Sequence, residues 1–239
     1  MADRPYTLLS CGMSIDGYLD SSGGSRLRLS NVADFDRVDE VRAGCDAILV
    51  GAATVRNDNP RLLVRSAARR AQRTARGLTA SPVKVTLTRS GDLAATAAFF
   101  TTGRSEKIVY CPTGSAERTR SRLASLATVV DSGPGGDVDV ASVAEDLSAR
   151  GVTRLMVEGG GAVLTQFLLA DLVDELHLVV APLFVGDSRA PRLVGDGSYS
   201  WNSRRRATLA GVWQIDDVVL LRYALSDRFF AEQPTGEAR

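Results

Sequence analysis

A chain of 239 residues, 44% hydrophobic and 24% charged, has the length and make-up of one ordinary α/β domain, and a single domain over residues 1–239 is the expectation. Its 29 basic and 28 acidic residues leave a net charge of +1, which excludes a whole-molecule field for gripping nucleic acid or anionic lipid, so any anion site must be local. One histidine, His177, and three scattered cysteines, Cys11, Cys45 and Cys111, exclude a His/Cys zinc site and a disulfide scaffold, and point to reduced thiols in a cytoplasmic, metal-free protein.

Residues 6–14 form an apolar run closed by the turn pair Asp16-Gly17, which predicts a first strand. Ser30 or Asn31 then caps a helix, with Val32, Phe35, Val38 and Val41 at helical spacing and Asp34 completing a capping-box-like opening. The unbroken apolar run 47–50 suits a strand buried on both faces of a parallel sheet. Residues 51–62 read as a polar loop and 61–64 as a short strand. The arginine-rich stretch 65–77 has little apolar periodicity and reads as an exposed loop or frayed helix. Further strands are predicted at 83–88, 107–111 and 129–130, with a helix over 116–127 and the turn Asp131-Ser-Gly-Pro-Gly-Gly136.

An amphipathic helix is predicted over 140–150, with Gly151 just past its end. A strand over 154–157 then runs straight into Glu158-Gly159-Gly160-Gly161 and a helix over 162–170. A strand at 175–181 follows, and 207–214 with 218–224 close the chain as an antiparallel hairpin. The longest apolar region, 176–186, is interrupted by His177 and Pro182 and falls short of the roughly 20 apolar residues of a membrane span. The polar end, 231–239, is expected to be disordered. Alternating strands and helices with a terminal hairpin give an α/β fold built on a mostly parallel sheet.

The strand–Glu158-Gly-Gly-Gly161–helix junction is the sharpest chemical signal. Glycines there let backbone N–H groups approach an anion at a helix N-terminus, and pyrophosphate suits such a place; a tight strand-to-helix turn needs the same residues. Glu158 ends a strand where open α/β sheets place ligands, and it fits either a sugar-binding carboxylate or a surface cap. The segment Gly51-Ala-Ala-Thr54-Val-Arg56-Asn-Asp58-Asn-Pro60 fits a ligand-lining turn and an ordinary one equally. Arg42, Arg65 and Arg89 are suited to phosphate, though each alone is more often a solvated charge. His177, inside an apolar strand, reads as a satisfied structural histidine.

Taken together, residues 11–17 (CGMSIDG), 37–64 (RVDEVRAGCDAILVGAATVRNDNPRLLV), 156–164 (MVEGGGAVL), 172–186 (LVDELHLVVAPLFVG) and the closing hairpin resemble the reductase domain of the riboflavin-biosynthesis deaminase/reductase family, and within it the standalone archaeal-type pyrimidine reductases. The likeness runs through roughly residues 5–225 in the same order. It implies a dihydrofolate-reductase-like three-layer fold with helices on both faces of the sheet, NADPH as reductant and a homodimer. The implied reaction reduces the ribosyl group of a 5′-phosphoribosylamino-pyrimidine to ribityl, the protein supplying positioning and electrostatics.

By position the likeness assigns cofactor contacts to Gly12, Met13, Thr54, Asp58 and Arg89, and to Gly159, Gly160, Gly161, Ala162, Val163 and Leu164. Substrate contacts fall on Ser25, Arg42, Leu62, Arg65 and Glu158, with the two arginines gripping the 5′-phosphate. Asp58, Glu158 or solvent carries the proton. Ser10 stands where many fused enzymes have a lysine, and Asn59 replaces the second of two aspartates, so a paralogous reductase acting on a pterin or a specialised metabolite is the alternative. The His-x-Glu and paired cysteines of the family's deaminase do not occur in this sequence, so only the reduction is expected.

Overall fold

The computed structural model describes residues 4–23 and 27–229, so Ser25 and the end at 231–239 lie outside the described residues. Nine strands form one sheet: β1 (Tyr6–Ser14), β2 (Ala47–Gly51), β3 (Val83–Leu87), β4 (Lys107–Cys111), β5 (Thr128–Asp131), β6 (Arg154–Gly159), β7 (Glu175–Ala181), β8 (Thr208–Ile215) and β9 (Val218–Ala224). Their order is β5-β4-β3-β2-β6-β1-β7-β9-β8. All neighbouring pairs from β5 to β7 are parallel, and β9 joins antiparallel to both β7 and β8.

The central strands are apolar at successive positions because both faces are covered. Leu8, Ile48 and Met156 point to one core, while Leu9, Leu49 and Val157 point to the other. Against the first face pack α1 (Val32–Ala43), through Val38 and Val41, and α2 (Ala52–Asp58), through Val55. The same core takes Phe99 and Phe100 of α4 (Ala98–Thr101) and Leu123 of α5 (Thr113–Leu123). The second face is covered by α6 (Val140–Ala149) and α7 (Gly161–Leu169), through Val143, Leu147 and Phe167. The three-layer α/β architecture with its antiparallel terminal hairpin is as the sequence implies, and no helix among the described residues is long and apolar enough to cross a membrane.

Several local expectations need correction. Residues 52–58 form α2, which ends at Asn59 in the left-handed conformation (φ 44°); Asn59 Oδ1 accepts from the Ala98 N–H at 2.7 Å. An Asn tolerates that conformation and supplies the acceptor. Residues 61–64 join no ladder. The arginine-rich stretch contains a helix, α3 (Ala67–Ala75), capped by the Ser66 hydroxyl. Apolar periodicity fails there because the helix is fastened by guanidinium groups. Arg73, 3% exposed, donates to the carbonyls of Ala43, Cys45 and Thr79, and Arg69 pairs with Asp36 and Asp39 of α1. Asn31, rather than Ser30, caps α1, but Asp34 does not complete a capping box; its carboxylate takes Arg37.

Candidate active site

β6 lies between β2 and β1, so the chain leaves the carboxyl ends of neighbouring strands toward opposite faces and opens a crevice there, the place where open α/β sheets bind ligands. β1 brings Cys11 and Gly12 to it, β2 leads into α2 with Thr54 and Asp58, and β6 ends in Glu158-Gly159.

The glycine turn is required by close approach as well as by conformation. Gly159 and Gly160 have φ of 123° and 83°, which side-chain-bearing residues rarely adopt. A Cβ on Gly160 would lie 3.2 Å from the Thr54 hydroxyl, and one on Gly161 2.8 Å from the Arg192 carbonyl oxygen. The bare backbone thus forms a narrow lip under α2. Within α7 the first N–H groups to find helical partners are those of Val163 and Leu164, both on the Gly160 carbonyl. Gly161 and Ala162 precede them, in the turn where a helix start leaves N–H groups for an anion.

Two clefts meet here. The larger, about 660 Å³, is lined by Gly12, Thr54, Asp58, Glu158, Gly160 and Leu164 among others. The smaller, about 280 Å³, is lined by Ser10, Arg37, Arg42, Arg65 and Glu158. Cys11, Gly12, Ser30, Phe35 and Glu158 line both. Desolvation pushes the Cys11 thiol up to about 12, so it presents an uncharged surface to the shared wall.

Arg42 and Glu158 form a two-pronged ion pair, Nε to Oε1 and Nη2 to Oε2, each 2.5 Å. Burial opposes the Arg42 charge, but Glu158 outweighs it and holds the guanidinium pKa above its ordinary value. Arg42 Nη1 also donates to the Leu63 carbonyl at 3.3 Å. Arg65 stands at the mouth, its guanidinium donating to the Phe35 carbonyl and lying 5.6 Å over the Phe35 ring. Its backbone is fixed by the buried Asp39, which accepts from the Arg65 and Ser66 N–H groups at 2.5 and 3.0 Å. Burial would raise the Asp39 pKa; these bonds hold it below the ordinary carboxylate range.

The structure thus brings Gly12, Thr54, Asp58, Glu158, the three glycines and Leu164 to one cleft, and Arg42 and Arg65 to the adjoining one. Met13, Leu62, Ala162 and Val163 line neither. Leu62 is buried at φ 46° beneath the loop that presents Arg65, and Val163 packs on β2, where a Cβ on Gly51 would sit 2.9 Å from its Cγ2. Arg89 also lies outside both clefts, as an exposed partner of Asp137 at 2.8 Å. His177 is buried and bonded, as a structural histidine should be. Sequence reading missed Arg37 and Asp39, because the structure inverts the usual pattern of α1: Asp34 and Asp39 are buried, Val38 and Val41 are partly buried and Val32 is exposed.

The RibD C-terminal domain model matches residues 5–221. The chain belongs to the RibD C-terminal domain family. A 2,5-diamino-6-ribosylamino-4(3H)-pyrimidinone 5′-phosphate reductase of Archaeoglobus fulgidus is 32% identical over 198 residues, covering 82% of this chain and 89% of that protein. The enzyme of the same name from Methanothermobacter thermautotrophicus is 31% identical over 225 residues, covering 93% and 99%. Acinetobacter baumannii RibD (form 2) superposes with a TM-score of 0.74 at 26% identity over 92% of this chain, which spans 58% of that longer one. The relatives are riboflavin-biosynthesis pyrimidine reductases, and the chain is accordingly an oxidoreductase of this family rather than a pterin-type paralogue. A reductase family of this kind implies a nicotinamide cofactor.

Proposed function

We propose that this chain uses NADPH to reduce the ribosyl group of a 2,5-diamino-6-ribosylamino-pyrimidinone 5′-phosphate to ribityl. The observation that carries the reading is the meeting of the two clefts at Gly12 and Glu158. The glycine lip and Gly12 would hold a dinucleotide beside a second cavity lined by arginines.

The large cleft fits the cofactor through its Cβ-free lip, the open start of α7 and the Thr54 hydroxyl. NADPH, when bound, supplies the hydride. Asp58 lines the same wall. Arg89, on the β3 side of the crevice, is the cation assigned to an adenosine 2′-phosphate, exchanging Asp137 for it.

The substrate reacts as its ring-opened imine. Its reduction to the secondary amine would take one hydride at C1′, which bound NADPH would supply, and one proton at the nitrogen. Both Glu158 oxygens are held by Arg42, so Glu158 orients the sugar and the proton comes from Asp58 or water. Arg65 takes the 5′-phosphate. The same likeness supports a homodimer in the cytoplasm, with the exposed Leu209 and Val212 of edge strand β8 and Val219 of β9, on one face of the sheet, as the apolar surface for a second copy.

The test is NADPH consumption against three compounds: the diamino-pyrimidinone phosphate, its deaminated uracil counterpart and dihydrofolate. Turnover confined to the diamino compound is expected. Turnover of dihydrofolate alone overturns the proposal.

A further inference from the structure

The smaller cleft holds a cation to which neither the sequence nor the family likeness gives a role. We propose that Arg37 is a second anion-binding arm of this cleft, reading the phosphate of the phosphorylated sugar together with Arg65; this rests on the substrate reading above.

Arg37 is not a loosely solvated charge. Its side chain is 16% exposed, and its guanidinium is fixed from two sides. Asp34, 1% exposed, takes Nε at 2.8 Å and Nη2 at 2.7 Å. On the other side Nη1 lies 3.1 Å from His177 Nδ1, while His177 Nε2 lies 2.7 Å from Glu175 Oε1. A guanidinium only donates and a carboxylate only accepts, so the ring carries its proton on Nε2 and offers Nδ1 to Arg37. Burial holds the His177 pKa below its ordinary value, which keeps that neutral form at pH 7. Glu175, fully buried, is tied in turn to Tyr6 Oη at 2.8 Å and Arg222 Nε at 2.5 Å. The arm is anchored in the sheet.

A helix-start ion pair alone would need none of this. Asn31 already caps α1, and Asp34 could pair with an arginine in solvent. Instead the guanidinium is drawn against the one histidine, opposite Ser10 in the β1–β7 register, and Ser10 lines the same cleft. Arg37, Phe35 and Arg65 line the one cleft, with Arg65 over the Phe35 ring, and both carboxylate oxygens of Glu158 are taken by Arg42. The lining carries three arginines against two carboxylates, Asp34 and Glu158, an excess that favours an anion. Two arginines held in fixed orientations suit the several oxygens of a phosphate.

The experiment compares wild type with Arg37→Met and Arg37→Lys. KM is measured for the phosphorylated substrate and for its dephosphorylated nucleoside; ribose 5-phosphate and NADP+ are titrated calorimetrically. Arg37→Met is expected to raise KM for the phosphorylated substrate about tenfold or more, as for a lost charge-assisted hydrogen bond. It should weaken ribose 5-phosphate similarly and leave the nucleoside KM and the NADP+ affinity within twofold. Arg37→Lys, which keeps the charge without the fork, should fall between, and it serves alone if the methionine variant does not fold. An equal loss on both substrates, or no loss, overturns the role of Arg37. Arg37-dependent ribose 5-phosphate binding in a protein that turns over no pyrimidine would overturn the reductase reading and leave Arg37 in place.

Discussion

Arg42 and Glu158 lie 116 residues apart in sequence, yet their side chains meet in a paired fork with both distances at 2.5 Å. The pair ties the last turn of α1 to the end of β6, on the boundary between the two clefts. Either partner alone would leave a mostly buried charge facing substrate. Arg42→Met and Glu158→Gln are each expected to lower kcat/KM by about 10–150-fold, the range of a lost charged hydrogen bond at roughly 1.5–3 kcal/mol. The double variant should lose less than the product of the two, because the second substitution removes a partner already unpaired. Steady-state kinetics of the four proteins checks this; strict multiplicativity contradicts it.

Gly160→Ala places a Cβ at φ 83° and 3.2 Å from the Thr54 hydroxyl. The left-handed conformation costs an L-residue about 1–2 kcal/mol, and the lip under α2 narrows. A lower Tm and at least tenfold weaker NADPH binding, read by nucleotide fluorescence, are expected. Gly136→Ala, with nothing within 4 Å of its Cβ and no positive φ, is the matched control and should leave binding unchanged.

Arg73 is the fastening of α3. Its three carbonyl partners belong to α1, to the residue before Asp46 and to the turn after α3. Arg73→Met leaves them without that donor and should destabilise by on the order of 3 kcal/mol, a Tm loss of several degrees for a chain of this size. Because α3 also carries Arg69 to Asp39, the loop presenting Arg65 should loosen, and KM should rise more than kcat falls. Thermal unfolding together with kinetics separates the two effects.

Lys84 is fully buried in β3 and donates to the carbonyls of Phe99 and Thr102 at 3.0 and 2.6 Å. Burial, aided by Lys107, lowers its pKa from 10.5 to about 8. Between these values the unfolded chain binds a proton that the folded chain does not, so folding gains stability as pH rises from 8 toward 10.5. Below pH 8 both states are protonated and that gain is absent. The stability difference between wild type and Lys84→Met, from urea unfolding, should therefore shift in favour of wild type across this window, by on the order of 3 kcal/mol. A difference that stays flat with pH would contradict it.

The sheet was legible because its central strands write burial on both faces as unbroken apolar runs, as at 47–50 and 155–157. The glycine turn was legible because only glycine meets its conformation. What failed was structure held by polar contacts. α3 carries its one buried side chain, Arg73, on backbone carbonyls, so an apolar template passes over it. α2 is short and opens at Gly51 without a side-chain cap, which made it read as loop. Arg37 escaped notice because its partner His177 comes from a strand 140 residues away, a relationship that sequence spacing does not display.

The central claim is that the two clefts join a reduced nicotinamide to the sugar carbon of one substrate. Reaction with NADPH deuterated at the transferred C4 position tests it most directly, with the product analysed by mass spectrometry and NMR. The account predicts one deuterium, on C1′ of the ribityl chain and nowhere else. A product with no deuterium at C1′, or with deuterium acquired there only from heavy water, would contradict direct transfer between the clefts.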